Sequence, residues 1–377
     1  MDPLGLTVLA LNAGSSSLKA SIYSFPDGAW PVEPVAPRWH ASVNVPTTPR
    51  DVIDPLLQSI GPIKIDMVGH RVVHGGSTFR ESTFITPDVK EAILQAGSLA
   101  PSHNRIEIWG MEAVERLLGV NTRQVAVFDT AFHSSLPPAA YVYPGPYSWL
   151  GEGIRRYGFH GISHQYAAGR AAELLGRDLT SLRLITCHLG SGCSLAAIRN
   201  GVCVNTTMGF TPLEGLMMGT RSGSIDPGIL LHLLRRGDSV ERVDEILNRE
   251  SGLLGVSGIS ADMREIIEAI RHDDPRAQLA FDIYVHRVRS SIGGMLPALG
   301  GLDALVFTAG VGENCAPLRR EVCRELVFLG LRIDEQKNES LQQDRDFSAK
   351  ESTMRALVIK TQEEWQIALE CLRLGIG

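Results

Sequence analysis

The pattern of apolar and polar positions is most informative across residues 184–228, LITCHLGSGCSLAAIRNGVCVNTTMGFTPLEGLMMGTRSGSIDPG. Residues 184–187 form an apolar run that predicts a buried strand, Gly190, Ser191 and Gly192 predict a turn, and residues 193–198 predict the returning strand of a β-hairpin. A glycine-rich tip of this kind can aim several backbone N–H groups at one anion. The pattern recurs near the start of the chain, in LTVLALNAGSSSLKASI at residues 6–22. With Gly14 set on Gly190, Val8 falls on Leu184, Leu9 on Ile185, Ser15 on Ser191 and Ile22 on Ile198 without a gap. Two such hairpins, each opening one half of the chain, predict a duplicated nucleotide-binding domain whose tips hold a phosphate chain from opposite sides.

Further strands are predicted at 65–73, 125–128, 304–307 and 356–359, and helices at 87–99, after a break at 99–104 on to 118, up to 175, at 229–236, 240–250 and 276–296. The run TQEEWQIALECLRL at 361–374 predicts an amphipathic helix with Thr361 as its N-cap. Prolines and tryptophans between 26 and 62 predict edge strands and loops, and glycines predict a loop at 252–260. After the strand at 304–307, the segment from Thr308 to the helix beginning near Pro317 offers a third place where backbone can approach a nucleotide. Prolines, tyrosines and glycines dominate 132–153, which places a domain boundary near Ala131.

With 377 residues the chain can hold two domains, each with its own core. Net charge is −6 without any lysine or arginine block, which gives no support to nucleic acid or a membrane surface as partner. Apolar runs fall short of the roughly 20 residues of a membrane span, and the N-terminus lacks a signal-peptide core, so a cytoplasmic location is expected. The six cysteines form no C-x-x-C pair and are expected to be buried free thiols. His160 and His164 have helical spacing, but no glutamate follows the first as a zinc hydrolase requires.

A Walker A loop is absent, as are the protein-kinase signatures and the G-x-G-x-x-G turn of a dinucleotide fold. Phosphoryl transfer by a paired-hairpin site remains. It depends on positioning and charge neutralisation, for which Arg71, Arg221, His160 and Lys19 are candidates, with Asn12, Asp129 or Glu363 to hold Mg²⁺.

The same residues lie in segments that together resemble the acetate kinase family: LNAGSSSLK (11–19), GHRVVHGG (69–76), LAPSHN (99–104), VFDTAFH (127–133), RRYGFHGISH (155–164), TCHLGSGCS (186–194), TTMGFTPLEGLMMGTRSGSIDPG (206–228), FTAGVGEN (307–314) and TQEE (361–364). The resemblance implies an α/β fold of two duplicated actin-like (ribonuclease H-like) ATPase domains with a nucleotide cleft between them, and a homodimer. It also implies that the last helix returns to the first domain, so the domains would be 1–131 plus 361–377, on the Mg²⁺ and acyl-substrate side, and 132–360, on the nucleotide and dimer side.

Carried onto this sequence, the family pattern places Asn12 and Glu363 at Mg²⁺, with Mn²⁺ as an alternative. Lys19, His188, Leu189, Gly190, Ser191 and Gly192 would meet ATP phosphates, and Asp262, Met263, Arg264, Gly310, Val311, Gly312, Glu313 and Asn314 would surround the nucleotide. Arg71 would bind the carboxylate, Val73, Ser102, Phe159 and Pro212 would line the pocket for its methyl group, and His160 and Arg221 would stabilise the phosphoryl group, with Asp129 as the acidic residue. Ser191 and Ser102 stand where the family pattern has asparagine and leucine, and Trp365 where a small aliphatic is common. The implied reaction is direct in-line transfer between ATP and acetate, giving acetyl phosphate and ADP. Alternatives are a propionate or butyrate kinase and, from another class, a catalytically silent nucleotide-binding regulator.

Overall fold

A computed structural model of the chain describes residues 5–14, 17–26, 30–31, 33–44, 50–96 and 101–376, leaving aside the side chains of residues 50, 51 and 101–105. Ser15, the side chain of Ser102 and the end of the helix expected at 87–99 therefore lie outside the described residues, and the break expected at 99–104 is overturned from Pro101, where the helix Pro101–Leu118 begins. The chain divides into two compact units, one of Met1–Ser134, Phe159–Tyr166 and Gln362–Gly377, the other of Ser135–Gly158 and Ala167–Thr361.

The first unit carries strands β1 (Leu6–Ala13), β2 (Ser17–Phe25), β3 (Trp39–Asn44), β4 (Met67–Val72), β5 (Thr83–Phe84) and β6 (Arg123–Phe128) in the order β3-β2-β1-β4-β6-β5. β1, β4 and β6 are parallel neighbours, and their near-continuous apolar runs fit strands covered on both faces. Ile53, Leu56 and Leu57 of the helix Arg50–Gln58 and Val114 of the helix Pro101–Leu118 form one core with Leu9, Leu11 and Ile22. The edge strand β3 fits the expectation of mostly edge strands and loops at 26–62, and the helix Arg50–Gln58 departs from it. Apolar residues at helical spacing outweigh Pro55, the residue that argued against it. The last helix, Glu363–Ile376, packs on the same sheet: a Cβ on Gly69 would stand 2.5 Å from Ile367 Cγ2 and 2.6 Å from Cys371 Sγ. That helix begins two positions beyond the expected cap, Thr361, whose N–H donates to Glu313 Oε1 at 2.8 Å.

The second unit repeats the plan with β7 (Arg183–Leu189), β8 (Cys193–Arg199), β9 (Val202–Thr206), β10 (Ala304–Thr308), β11 (Arg345–Asp346) and β12 (Arg355–Val358), ordered β11-β12-β10-β7-β8-β9. Every parallel and antiparallel pairing of the first sheet has its counterpart here. The duplication thus extends from the hairpins to both sheets. The ungapped superposition of the hairpins needs one correction: Ala13 pairs with Leu18, whereas Leu189 pairs with Cys193, so the first tip is one residue longer. Tyr23, opposite Val8, is therefore the counterpart of Ile198, opposite Leu184. Two expected glycine loops are helical, Gly252–Ser257 and Ala309–Asn314, the latter starting from Ala309 at φ +64°.

All six cysteines are free, and all but the half-buried Cys315 are buried. No described helix is long and apolar enough to cross a membrane.

Candidate active site

Because β1, β4 and β6 run parallel side by side, their C-terminal ends bring Asn12, Arg71 and Asp129 to one edge of the first sheet, the usual place for ligand chemistry in such sheets. Arg71 forks onto Asp129, with Nε donating to Oδ1 at 3.1 Å and Nη2 to Oδ2 at 2.7 Å. Its Nη1 donates to Asn12 Oδ1 at 3.1 Å and lies 3.9 Å from Glu363 Oε2. Asn12 Nδ2 then donates to Glu363 Oε2 and to Glu364 Oε1, each at 2.7 Å. Sequence reasoning singled out the first four of these residues and passed over Glu364, whose signal was its place beside Glu363.

His160 reaches the same edge through backbone contacts. The Gly161 N–H donates to the Asp129 carbonyl at 2.9 Å, and a Cβ on Gly161 would lie 2.0 Å from that oxygen, which only glycine permits. His160 itself sits at φ +57°, and its backbone N–H donates to the Asp129 carboxylate. Beneath this loop, His133 Nε2 donates to the Phe159 carbonyl at 2.9 Å, and burial lowers the His133 pKa to about 4, so the ring is a neutral structural donor. Val73 and Phe159 are both buried, and the Val73 N–H donates to Glu107 Oε1 at 2.8 Å. Glu107 had no place in the sequence reading. Its second oxygen, Oε2, is buried without a hydrogen-bond partner.

Burial opposes the charge of Arg71, but Asp129 and Glu363 outweigh it and hold the guanidinium above its ordinary value. Burial pushes the Asp129 carboxyl up, against the pull of Arg71 and of the His160 N–H. Asp129, Glu363 and Glu364 outnumber the one guanidinium among them. Hard oxygens with a surplus of negative charge suit Mg²⁺ or Mn²⁺, which keep several waters or phosphate oxygens and need few protein ligands. The described residues contain no group of three or more His, Cys, Asp or Glu side chains placed to hold a metal ion on their own. Lys19 lies opposite Asn12 in the β1–β2 register and is half-buried.

In the second unit a cavity of about 760 Å³ is lined by Gly190, Ser191, Asp262, Met263, Arg264, Gly310, Val311 and Asn314, all of them anticipated from the sequence. Ile267, Glu268, Arg271 and Cys315 also line it and were not anticipated. His188, Leu189, Gly192, Gly312 and Glu313 are not among the residues that line it. Asp262 caps the helix Met263–Arg271 and pairs with the exposed Arg264. Arg221 Nη1 donates to the Pro212 carbonyl at 2.6 Å, and burial lowers its guanidinium from the ordinary value. Pro212 thus belongs to the second unit, whereas Val73 and Phe159 belong to the first.

Two sheets of one topology, one edged by a guanidinium–carboxylate cluster and the other by a glycine-lined cavity, define a kinase of the duplicated actin-like ATPase fold. The chain belongs to the acetokinase family, whose model matches residues 53–369. It is 55% identical to an acetate kinase of Gloeobacter violaceus, over 97% of this chain and 98% of that one. Among solved structures it resembles an acetate kinase of Porphyromonas gingivalis, with a TM-score of 0.86 and 39% identity over 98% of this chain and 99% of that one. It also resembles a propionate kinase of Francisella tularensis, with a TM-score of 0.85 and 36% identity over 97% and 98% of the two chains.

Proposed function

We propose that the protein is an acetate kinase, transferring the γ-phosphoryl group of ATP to acetate in a reversible, direct in-line reaction that gives acetyl phosphate and ADP. The observation that carries this reading is Arg71, a half-buried guanidinium at a strand end, oriented by Asp129 and Asn12. A planar fork of this kind suits a carboxylate or an acyl phosphate. Acetate, with a pKa of roughly 4 to 5 like Asp and Glu side chains, is already ionised at pH 7, so its attack on phosphorus needs no general base. Asp129, locked onto Arg71, then serves to hold that arginine in place. His160 and Arg221 would each donate to phosphoryl oxygens, where fixed donors contribute much of the rate.

Asn12 and Glu363 would hold Mg²⁺, or Mn²⁺ in its place, which neutralises phosphate charge when bound. The cavity of the second unit would take the nucleotide, with its Gly190–Ser191–Gly192 tip directed to the phosphates, and Lys19 would contribute a cation to phosphate charge. A cytoplasmic homodimer fits the chain. The helix Pro227–Arg236 buries none of its residues and exposes Ile229, Leu231 and Leu234, an apolar surface that a second copy would cover.

A second reading, propionate as the preferred acceptor, is favoured by the likeness to the propionate kinase and by a serine at position 102. Incubation with ADP, Mg²⁺ and either acetyl phosphate or propionyl phosphate tests both. ATP formation from acetyl phosphate supports the first reading, a clear preference for propionyl phosphate the second. A protein that binds nucleotide but forms no ATP would instead be a silent regulator.

A further inference from the structure

Arg319 is 1% exposed, which makes it the largest fully buried side chain described. A buried guanidinium is usually paired with a carboxylate, because an unpaired buried charge is costly. This one spends its donors on backbone and amide oxygens. Nη1 donates to the carbonyls of Gly312 and Glu313, each at 2.8 Å, Nε to Asn338 Oδ1 at 2.8 Å, and Nη2 to the Asn338 carbonyl at 2.6 Å. Its neighbour Arg345 donates to that same carbonyl at 3.2 Å, and Asn338 Nδ2 donates to the Ala316 carbonyl at 3.0 Å. Burial first, then Arg345, lower the Arg319 pKa to about 10, so the side chain remains charged at neutral pH.

The two carbonyls held by Nη1 belong to the helix Ala309–Asn314, which supplies Gly310, Val311 and Asn314 to the cavity wall. Six residues are too few for a helix to persist by its own hydrogen bonds. Its first residue, Ala309, adopts a left-handed conformation that an L-residue disfavours. Strain of this kind persists only where surrounding contacts enforce it. The carbonyls at a helix C-terminus also need external partners. Here the Gly310 carbonyl accepts from Asn314 Nδ2 at 2.8 Å and the Val311 carbonyl from the Cys315 N–H at 2.9 Å, and Arg319 takes the next two. The short helix is therefore closed at its end by one side chain reaching back from the following helix, Ala316–Arg324.

We propose that Arg319 is a positioning residue for the nucleotide, holding the segment 309–314 in its binding conformation before nucleotide arrives. This rests on the assignment of the second unit's cavity to the nucleotide. Arg319→Lys keeps the charge and most of the stem but loses the fork, and Arg319→Gln removes both.

The test measures ADP affinity by calorimetry together with the KM values for ATP and acetate, on full-length variants whose folding is checked by circular dichroism. Loss of a charged hydrogen bond that prearranges a site should weaken ADP binding and raise KM for ATP about tenfold or more in Arg319→Lys, with KM for acetate within about twofold of wild type. Unchanged ADP affinity in a folded Arg319→Lys overturns the proposal, as does an equal rise of both KM values, which marks a merely structural role. A second measurement needs no variant. Backbone amides of 313–315, which close onto the carbonyls of 309–311, should be protected from hydrogen exchange in the nucleotide-free wild type, and protection that arises only on ADP addition would overturn prearrangement. Absence of ADP binding by the wild type itself would overturn the cavity assignment along with the proposal, and is recognised by its presence before any substitution.

Discussion

Replacing Glu107 by glutamine should make the protein more stable as pH rises, relative to wild type. Glu107 is 3% exposed, and Oε2 has no hydrogen-bond partner. Burial raises its pKa from the ordinary 4.5 to about 8, against the opposing pull of the Val73 N–H and Arg71. The folded protein therefore keeps a proton that the unfolded chain releases above pH 4.5. Stability contributed by this group is fully present below that value and declines as pH rises towards 8, by up to about 1.4 kcal/mol per pH unit.

Glutamine preserves the shape, and its carbonyl oxygen can still accept from Val73, but it cannot ionise. Between about pH 5 and pH 7.5 the stability of Glu107→Gln relative to wild type should thus improve by about 3 kcal/mol. Urea unfolding of both proteins across that range measures the difference, and the infrared C=O stretch of a protonated carboxyl should be present in wild type at neutral pH and reduced in the variant. A stability difference that stays constant with pH would refute the reasoning, because it would mean that Glu107 is ionised in the folded protein.

Three further outcomes are expected. Arg71→Ala and Arg221→Ala should each lower kcat by about a hundredfold or more, as loss of a preorganised electrostatic donor does, and near-wild-type turnover in both would remove the site assignment. Asp129→Asn should be strongly impaired, with altered Mg²⁺ dependence, because Arg71 loses its anchor. That impairment should be no smaller at pH 9 than at pH 7, since base catalysis alone predicts recovery as hydroxide replaces the lost group. Ser102→Leu should shift selectivity towards acetate over propionate, by an amount within the roughly 1 to 3 kcal/mol that one methylene commands, and an unchanged ratio of kcat/KM would show that position 102 does not set acyl preference.

Much of this architecture is legible in the sequence because parallel strands buried on both faces write continuous apolar runs, and the glycine tips between them repeat. That is how β1, β2, β7 and β8, and with them Asn12 and the 190–192 tip, can be placed without coordinates. The strand ends carry Arg71 and Asp129 to one edge for the same reason. Features set by three-dimensional packing are harder to read. The helix Arg50–Gln58 is concealed by Pro55, and the extra residue in the first tip by the similarity of the runs on either side. Glu107 looks like one more polar residue between Ile106 and Ile108, since a local sequence does not reveal that its carboxyl is enclosed. Arg319, beside Arg320, has the pattern of a surface charge, yet the second pairs with Glu335 and Glu339 outside while the first is buried on the carbonyls of 312 and 313.

The central claim is tested most directly by trapping the product. The protein, ATP, Mg²⁺ and acetate are incubated with hydroxylamine, which converts an acyl phosphate to a coloured hydroxamate, beside parallel reactions containing propionate or butyrate and a control with Arg71→Ala. Acetohydroxamate should form only when ATP, Mg²⁺ and acetate are all present, faster than the longer hydroxamates, and Arg71→Ala should largely abolish it. No hydroxamate from the wild-type protein with any of the three acids, in a preparation that still binds ATP, would contradict the account.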